Sequence, residues 1–343
     1  MTPAIPVRPN DARILVAITV HFNAARLEYL AEVMRSLNEF PVAAMHVVLV
    51  TNTVQDDELG LLRRLCSETL SGKTASIRCY EYLGHPHYLT WRHREIIVSE
   101  FANENDSGYT HFMYLEDDIR VSFANFSYFV EYREVLRHAG LLPSFLRVEY
   151  NRTLNGFVNS DNKAPVDLSR QPHIDHGDVI LANIPFPYIA CYILDTALVA
   201  EFLRTRSFKR ESSRAVTEWE VRERAAMGLC HENVPQPFQC RYVVPVSRKT
   251  GMALGCAWIS HLPNNYANDP ASGFGKMRMD ALFENVGAPA LPAGNLPPRG
   301  AVGTQIPAVT ETVRPNGWKN IDLYMVLPNK IIEGLRWRLG FKR

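Results

Sequence analysis

Thr110-His111-Phe112-Met113-Tyr114-Leu115-Glu116-Asp117-Asp118 reads as an apolar, aromatic strand that runs directly into three acids. Carboxylates a few ångströms apart raise one another's pKa, so such a strand end needs a cation or an arginine among them. With nothing beside them to neutralise them, a divalent ion carrying a phosphate is the economical answer. A solvated acidic turn where the strand leaves the core is the plainer alternative.

Upstream, Ile14-Leu15-Val16-Ala17-Ile18-Thr19-Val20 is a continuous apolar run of the kind buried on both faces of a sheet. Leu27, Leu30, Val33, Met34 and Leu37 follow at helical spacing, and Pro41 closes that helix. Met45 to Val50 is a second strand, Asp56 and Asp57 open a helix that Gly72 closes, and Ala75 to Leu83 is a third strand. Leu89 to Phe101 reads as a further helix, with Ser107-Gly108 turning the chain into the acid-tipped fourth strand. This alternation predicts an α/β fold with a mainly parallel sheet and helices on both faces. Downstream, Phe126 to Leu136 reads as a helix, Phe145 to Tyr150 as a strand returning to the sheet, and Asn151 to Pro187 as a long loop. Tyr188 to Leu194 is a strand, and a helix follows from Thr196 to Arg204.

Ligands of such sheets bind at the carboxyl ends of the strands. Here those ends carry His21-Phe22-Asn23, Thr51-Asn52-Thr53 and the acids, so His21, Asn23 and Asn52 join Glu116 and Asp117 as candidate donor-binding residues. Neither GxGxxG nor GxxxxGK[ST] occurs, which argues against a dinucleotide fold and a P-loop. Phosphates then fall to a metal and side chains, and a nucleotide-sugar enzyme is the natural candidate.

The chain has 343 residues, 46% hydrophobic and 21% charged, with a formal net charge of +1, so no field favours nucleic acid as a partner. Cys66, Cys79, Cys191, Cys230, Cys240 and Cys256 show neither a CxxC pair nor zinc-like spacing. Met1 to Asp11 lacks the layout of a signal peptide, and no stretch of about 18 apolar residues occurs. A cytoplasmic protein is expected, touching a membrane from its inner surface at most.

The acidic triplet and its position resemble the GT-A glycosyltransferases, in which a "DXD" motif at a strand end binds a metal and the donor diphosphate. The resemblance covers about Ile14 to Tyr266 and implies a GT-A-like, Rossmann-type body. Asp118 corresponds to the usual metal ligand, and Glu116, where the commonest residue is Asp, to the acid that faces the ribose or a metal-bound water. Trp258-Ile259-Ser260-His261 stands where members of that fold place a further ligand, which makes His261 the second metal candidate. Oxygen donors with one imidazole suit Mn²⁺ or Mg²⁺. In family-2-like members the helix before the acids serves the donor phosphates, a role that falls to Arg94, then Arg92.

Inverting members often carry their catalytic carboxylate where Thr217-Glu218-Trp219-Glu220 opens a helix here. Thr217 and Glu220 have capping-box spacing, so Glu218 is the first choice for the base and Glu220 the second. His173-Ile174-Asp175-His176-Gly177-Asp178 suits acceptor recognition. The expected organisation is a catalytic body over 12–286, with a donor half at 12–122 and an acceptor half at 123–286. A Pro/Gly-rich linker or wrapping arm follows at 287–317. The segment 318–343 is an apolar and cationic helix able to lie on an anionic membrane or dock on the body. The expected activity is metal-dependent transfer of a sugar from a nucleotide-sugar to a hydroxyl of a glycan or lipid-linked acceptor. A metal-dependent phosphoesterase or nucleotidyltransferase, or a silent carbohydrate- or nucleotide-binding relative, would use the same acids.

Overall fold

β1 (Arg13–Val20) is buried along its length except at Arg13, as an unbroken apolar run requires of a strand covered on both faces. The computed structural model describes residues 7–101 and 108–289; the terminal helix expected at 318–343, and all but the first three residues of the linker, lie outside them. α1 (Leu27–Asn38) buries Leu30, Val33, Met34 and Leu37. β2 (Ala44–Thr51), α2 (Asp56–Thr69), β3 (Thr74–Cys79) and β4 (His111–Glu116) follow in the expected order. The three acids in the first turn of α2 complement its dipole.

The main sheet runs Cys191–Asp195, β4, β1, β2, β3. Four strands are parallel, and Cys191–Asp195 lies antiparallel on β4. This is the α/β architecture expected, a mainly parallel sheet flanked by helices. The chain lays β2 and β3 on one side of β1, then returns to place β4 on the other. Strand order therefore reverses between β1 and β4, where a crevice opens at the carboxyl ends of open sheets. Thr19 pairs with Glu116 across that point.

The acids continue into a second sheet. β5 (Ile119–Arg120) pairs with Trp258–His261, setting Ile119 opposite His261, and Leu262 N donates to Asp118 O at 3.0 Å. Leu146–Asn151 joins this sheet instead of returning to the first, because its register matches Trp258–His261 on one side and Gly156–Asn159 on the other. The helix Phe123–Leu136 opens on a Ser122/Asn125 capping box, and Asn125 Nδ2 donates to Cys256 O at 2.7 Å and Trp258 O at 2.8 Å.

The reading departs from the structure in two further places. Leu89 to Phe101 is a 3₁₀ turn (Pro86–Trp91), one α-turn (His93–Ile96) and a π-turn (Ile97–Phe101). Trp91, His93 and Arg94 are all buried and bonded to backbone, and those anchors override a uniform helix. The expected loop from Asn151 to Pro187 contains Gly156–Asn159, Val166–Asp167 and the hairpin His173–His176/Val179–Asn183. Strands this short show too few alternations to be read from sequence.

The described residues belong to one compact unit in which the two halves share sheets: Cys191–Asp195 enters the first sheet and β5 the second. Among them no helix is long and apolar enough to cross a membrane. The six cysteines are free thiols.

Candidate functional site

Asp117 and Asp118 are 5% and 6% exposed, and Arg26 lies between them. Its Nη2 donates to Asp117 Oδ1 at 2.5 Å and Asp118 Oδ2 at 2.8 Å, and its Nε to Asp117 Oδ2 at 3.3 Å. The expectation that nothing neutralises these acids is corrected: an arginine from the exit of β1 sits among them. Two other expected residues shape that exit. Asn23 accepts from Ala25 N at 3.0 Å, capping the turn that carries Arg26, and Asn52 accepts from Phe22 N at 2.9 Å.

His261 comes to the same place from the second sheet. Its Nδ1 is 2.5 Å from Glu149 Oε1, and its Nε2 is 3.4 Å from Asp118 Oδ2. Glu149 is 1% exposed and its Oε2 accepts from Ala267 N at 2.5 Å, so the carboxylate holds the imidazole with its Nδ1 proton engaged and Nε2 turned to Asp118. Burial lowers the pKa of His261, but its bonds to Asp118 and Glu149 outweigh this and raise it. Burial likewise opposes ionisation of Asp118, yet His261 and Arg26 hold it well below the usual carboxylate range.

Asp118 Oδ1 is buried without a hydrogen-bond partner among the described residues. A divalent ion would give it one. The residues fit such an ion: Asp118 and His261 offer two donors, and Glu149 on Nδ1 is the outer carboxylate that metal-binding histidines ordinarily carry. No group of three or more His, Cys, Asp or Glu able to hold a metal occurs among the described residues, so phosphate and water would complete the shell, as Mg²⁺ and Mn²⁺ favour.

At the other end of the turn, Glu116 Oε1 accepts from Tyr188 OH at 2.9 Å. Burial pushes its carboxyl up to about 7, with Asp118 adding to the rise and Arg222 opposing it. Burial also brings Asp117 to about 6 against the pull of Arg26. Tyr188 stacks on Trp219 at 6.1 Å and 23°, and Arg147 lies 4.8 Å from its ring.

A cavity of about 280 Å³ is lined by Thr19, the register partner of Glu116, and by His21, His87, Thr90 and Arg222 among others. Burial, then Arg26 for His21 and Arg222 for His87, lowers both imidazoles. Tyr188 foremost, then Glu116, holds the Arg222 guanidinium above its usual pKa. A larger cavity of about 480 Å³ lies between α2 and β3, and none of the three acids lines either cavity.

The other expected residues lie elsewhere. Arg94 is 5% exposed, donates to Ala225 O at 3.2 Å and Ser207 O at 3.1 Å, and sits 4.1 Å from the Trp91 ring. It fastens its turn to the segment 207–225; Arg222, not Arg94, lines the cavity. Arg92 pairs with Glu95 at 2.5 Å. Glu218 and Glu220 are exposed. The helix starts at Val221, with Glu220 at its N-cap making no side-chain cap, while Thr217 Oγ1 accepts from Trp219 N at 3.5 Å, so the capping box does not form. Trp219 ties this loop to Tyr188 and hence to Glu116. Asp175, in the hairpin His173–His176/Val179–Asn183, pairs with Arg248 just past the neighbouring strand Tyr242–Ser247. Arg26, Glu149, Tyr188 and Arg222 were missed; Arg26 alone had a signal, its place just after the first strand end.

No protein-family model matches the chain, and no curated protein sequence does. Among solved structures it is similar to residues 1–349 of TarS from S. aureus, at 14% identity and a TM-score of 0.33. That match covers 55% of this chain and 48% of the TarS chain, and carries no argument about function.

Proposed function

We propose that this protein is a metal-dependent glycosyltransferase of GT-A type that moves a sugar from a nucleotide-sugar to a hydroxyl of a glycan or lipid-linked acceptor. The observation that carries the reading is the convergence of Asp118 and the Glu149-backed His261 at the strand-order reversal, where Thr19, paired with Glu116, lines a cavity together with Arg222. Asp118 and His261 would hold Mn²⁺ or Mg²⁺, which when bound draws charge from the departing nucleoside diphosphate. Arg222 offers its planar guanidinium to the phosphate oxygens, the role expected earlier of Arg94. His21 lines the same cavity, and Glu116, held by Tyr188, is disposed to accept from a ribose hydroxyl. Glu218, or Glu220 after it, takes the acceptor hydroxyl's proton as that oxygen bonds to the anomeric carbon and the bond to the diphosphate breaks. Trp219, stacked on Tyr188, keeps that loop beside the turn.

A thermal-stability screen of nucleoside diphosphates and their sugars, with and without Mn²⁺, tests the reading. The correct donor at 100 times its dissociation constant adds about 2.7 kcal/mol. No stabilisation by any of them, with or without metal, would defeat it. Diphosphate release that requires an acceptor separates transfer from a phosphoesterase, which releases product with water alone.

A further inference from the structure

Arg26 and a metal would compete for one carboxylate. The Arg26 guanidinium bonds Asp118 Oδ2 at 2.8 Å, and that same oxygen faces His261 Nε2 at 3.4 Å. A divalent ion held by Asp118 and His261 would therefore stand against the guanidinium, and like charges so close in a partly buried place repel strongly. Arg26 has somewhere to go. It keeps two bonds to Asp117, at 2.5 and 3.3 Å, when the bond to Asp118 is given up. Its side chain is 36% exposed, whereas Arg147, which pairs with Asp161 in the same region, is 7% exposed. Its backbone is fixed by the Asn23 cap, so the movement is confined to the side chain.

The geometry points to Arg26 as a resident counter-cation that occupies Asp118 until a metal displaces it, and so sets how tightly the metal binds. The inference rests on the metal reading of Asp118 and His261. An arginine that merely oriented Asp118 for the metal would have the opposite effect when removed, because the ligand would lose its support. Competition and support thus predict opposite signs for the same substitution.

Mn²⁺ binding to the full chain, measured by calorimetry on wild type, Arg26→Met, Arg26→Gln and Arg26→Lys, decides between them. Arg26→Met and Arg26→Gln should bind Mn²⁺ at least tenfold more tightly than wild type, and Arg26→Lys, which keeps the charge, within about threefold of it. Equal or weaker binding by the neutral variants, with the wild type binding, overturns the inference and leaves the metal reading standing. Absence of binding in every protein overturns both. Should the neutral variants fail to fold, the wild type still answers. Saturating Mg²⁺ should shift the ¹⁵N resonance of Arg26 Nε, and an unmoved resonance with bound Mg²⁺ overturns the displacement.

Discussion

Glu116 and Asp118 stand two residues apart in one turn, and their surroundings give them opposite charge behaviour. At Glu116 burial outweighs the pull of Arg222 and of the Tyr188 hydroxyl, so its carboxyl is pushed up to about 7. Asp118 is less exposed than Glu116 but faces an imidazole and a guanidinium, and stays ionised far below neutrality. Partners, more than depth, decide which end of the turn is a fixed anion and which can exchange a proton near neutral pH.

The sharpest break of that contrast is Asp118→Ala. All Mn²⁺-dependent stabilisation by the donor should vanish, the whole of the roughly 2.7 kcal/mol expected at 100 times the dissociation constant. The metal-free protein should remain folded, since Arg26 keeps Asp117 and His261 keeps Glu149; circular dichroism and thermal melts measure both effects. Glu149→Gln acts one step further out. Weakening the outer carboxylate of a ligating histidine costs about 10–100-fold in metal affinity, read by Mn²⁺ calorimetry.

The Glu116 end is tested by pH, with chelator present. Its pKa is raised from 4.5 to about 7, so within that window the unfolded chain has lost a proton that the folded chain keeps. The contribution of this group to stability should therefore fall as pH rises from 4.5 to 7, by up to about 1.4 kcal/mol per pH unit, against the opposite slope of buried histidines such as His111 and His231, whose pKa burial lowers to about 4. Urea titrations should show the stability of wild type falling relative to Glu116→Gln across that window, with the contributions of Asp117 and the histidines common to both. The smallest effect is expected of Tyr188→Phe. Loss of one hydrogen bond costs about 1 kcal/mol and raises the Glu116 pKa further, because the tyrosine bond favours its ionised form. A lowered pKa in that variant would contradict the assignment.

The parallel sheet was legible because β1 and β4 are buried almost throughout, β2 is buried from Val47 to Thr51, and α1 carries a clear stripe. Burial on both faces leaves a signal that needs no partner to be read. Asp118 and His261 were legible by position in a resemblance, though 143 residues apart in number; nothing in the sequence shows that Glu149 stands behind the histidine, since that depends on pairing Leu146–Asn151 with Trp258–His261. Arg94 was read as a phosphate ligand because family-2-like members use the helix before the acids for that role. Its surroundings are those a buried arginine requires, with Trp91 against its face and carbonyls around its edge. Composition alone does not separate an arginine that serves a ligand from one that serves the core. Arg26 shows the converse, since its two acids lie about ninety residues away.

The pairing of β5 with Trp258–His261 bears on the entropy of binding. Asp118 O accepts from Leu262 N, and Ile119 lies opposite His261, so the two proposed metal donors are spaced by main-chain ladder bonds that form when the chain folds. On the proposed reading, an arriving ion would not have to gather its ligands from separate loops. Little conformational freedom would be left to lose at that step, and selectivity among ions would rest on how far each tolerates a spacing already set.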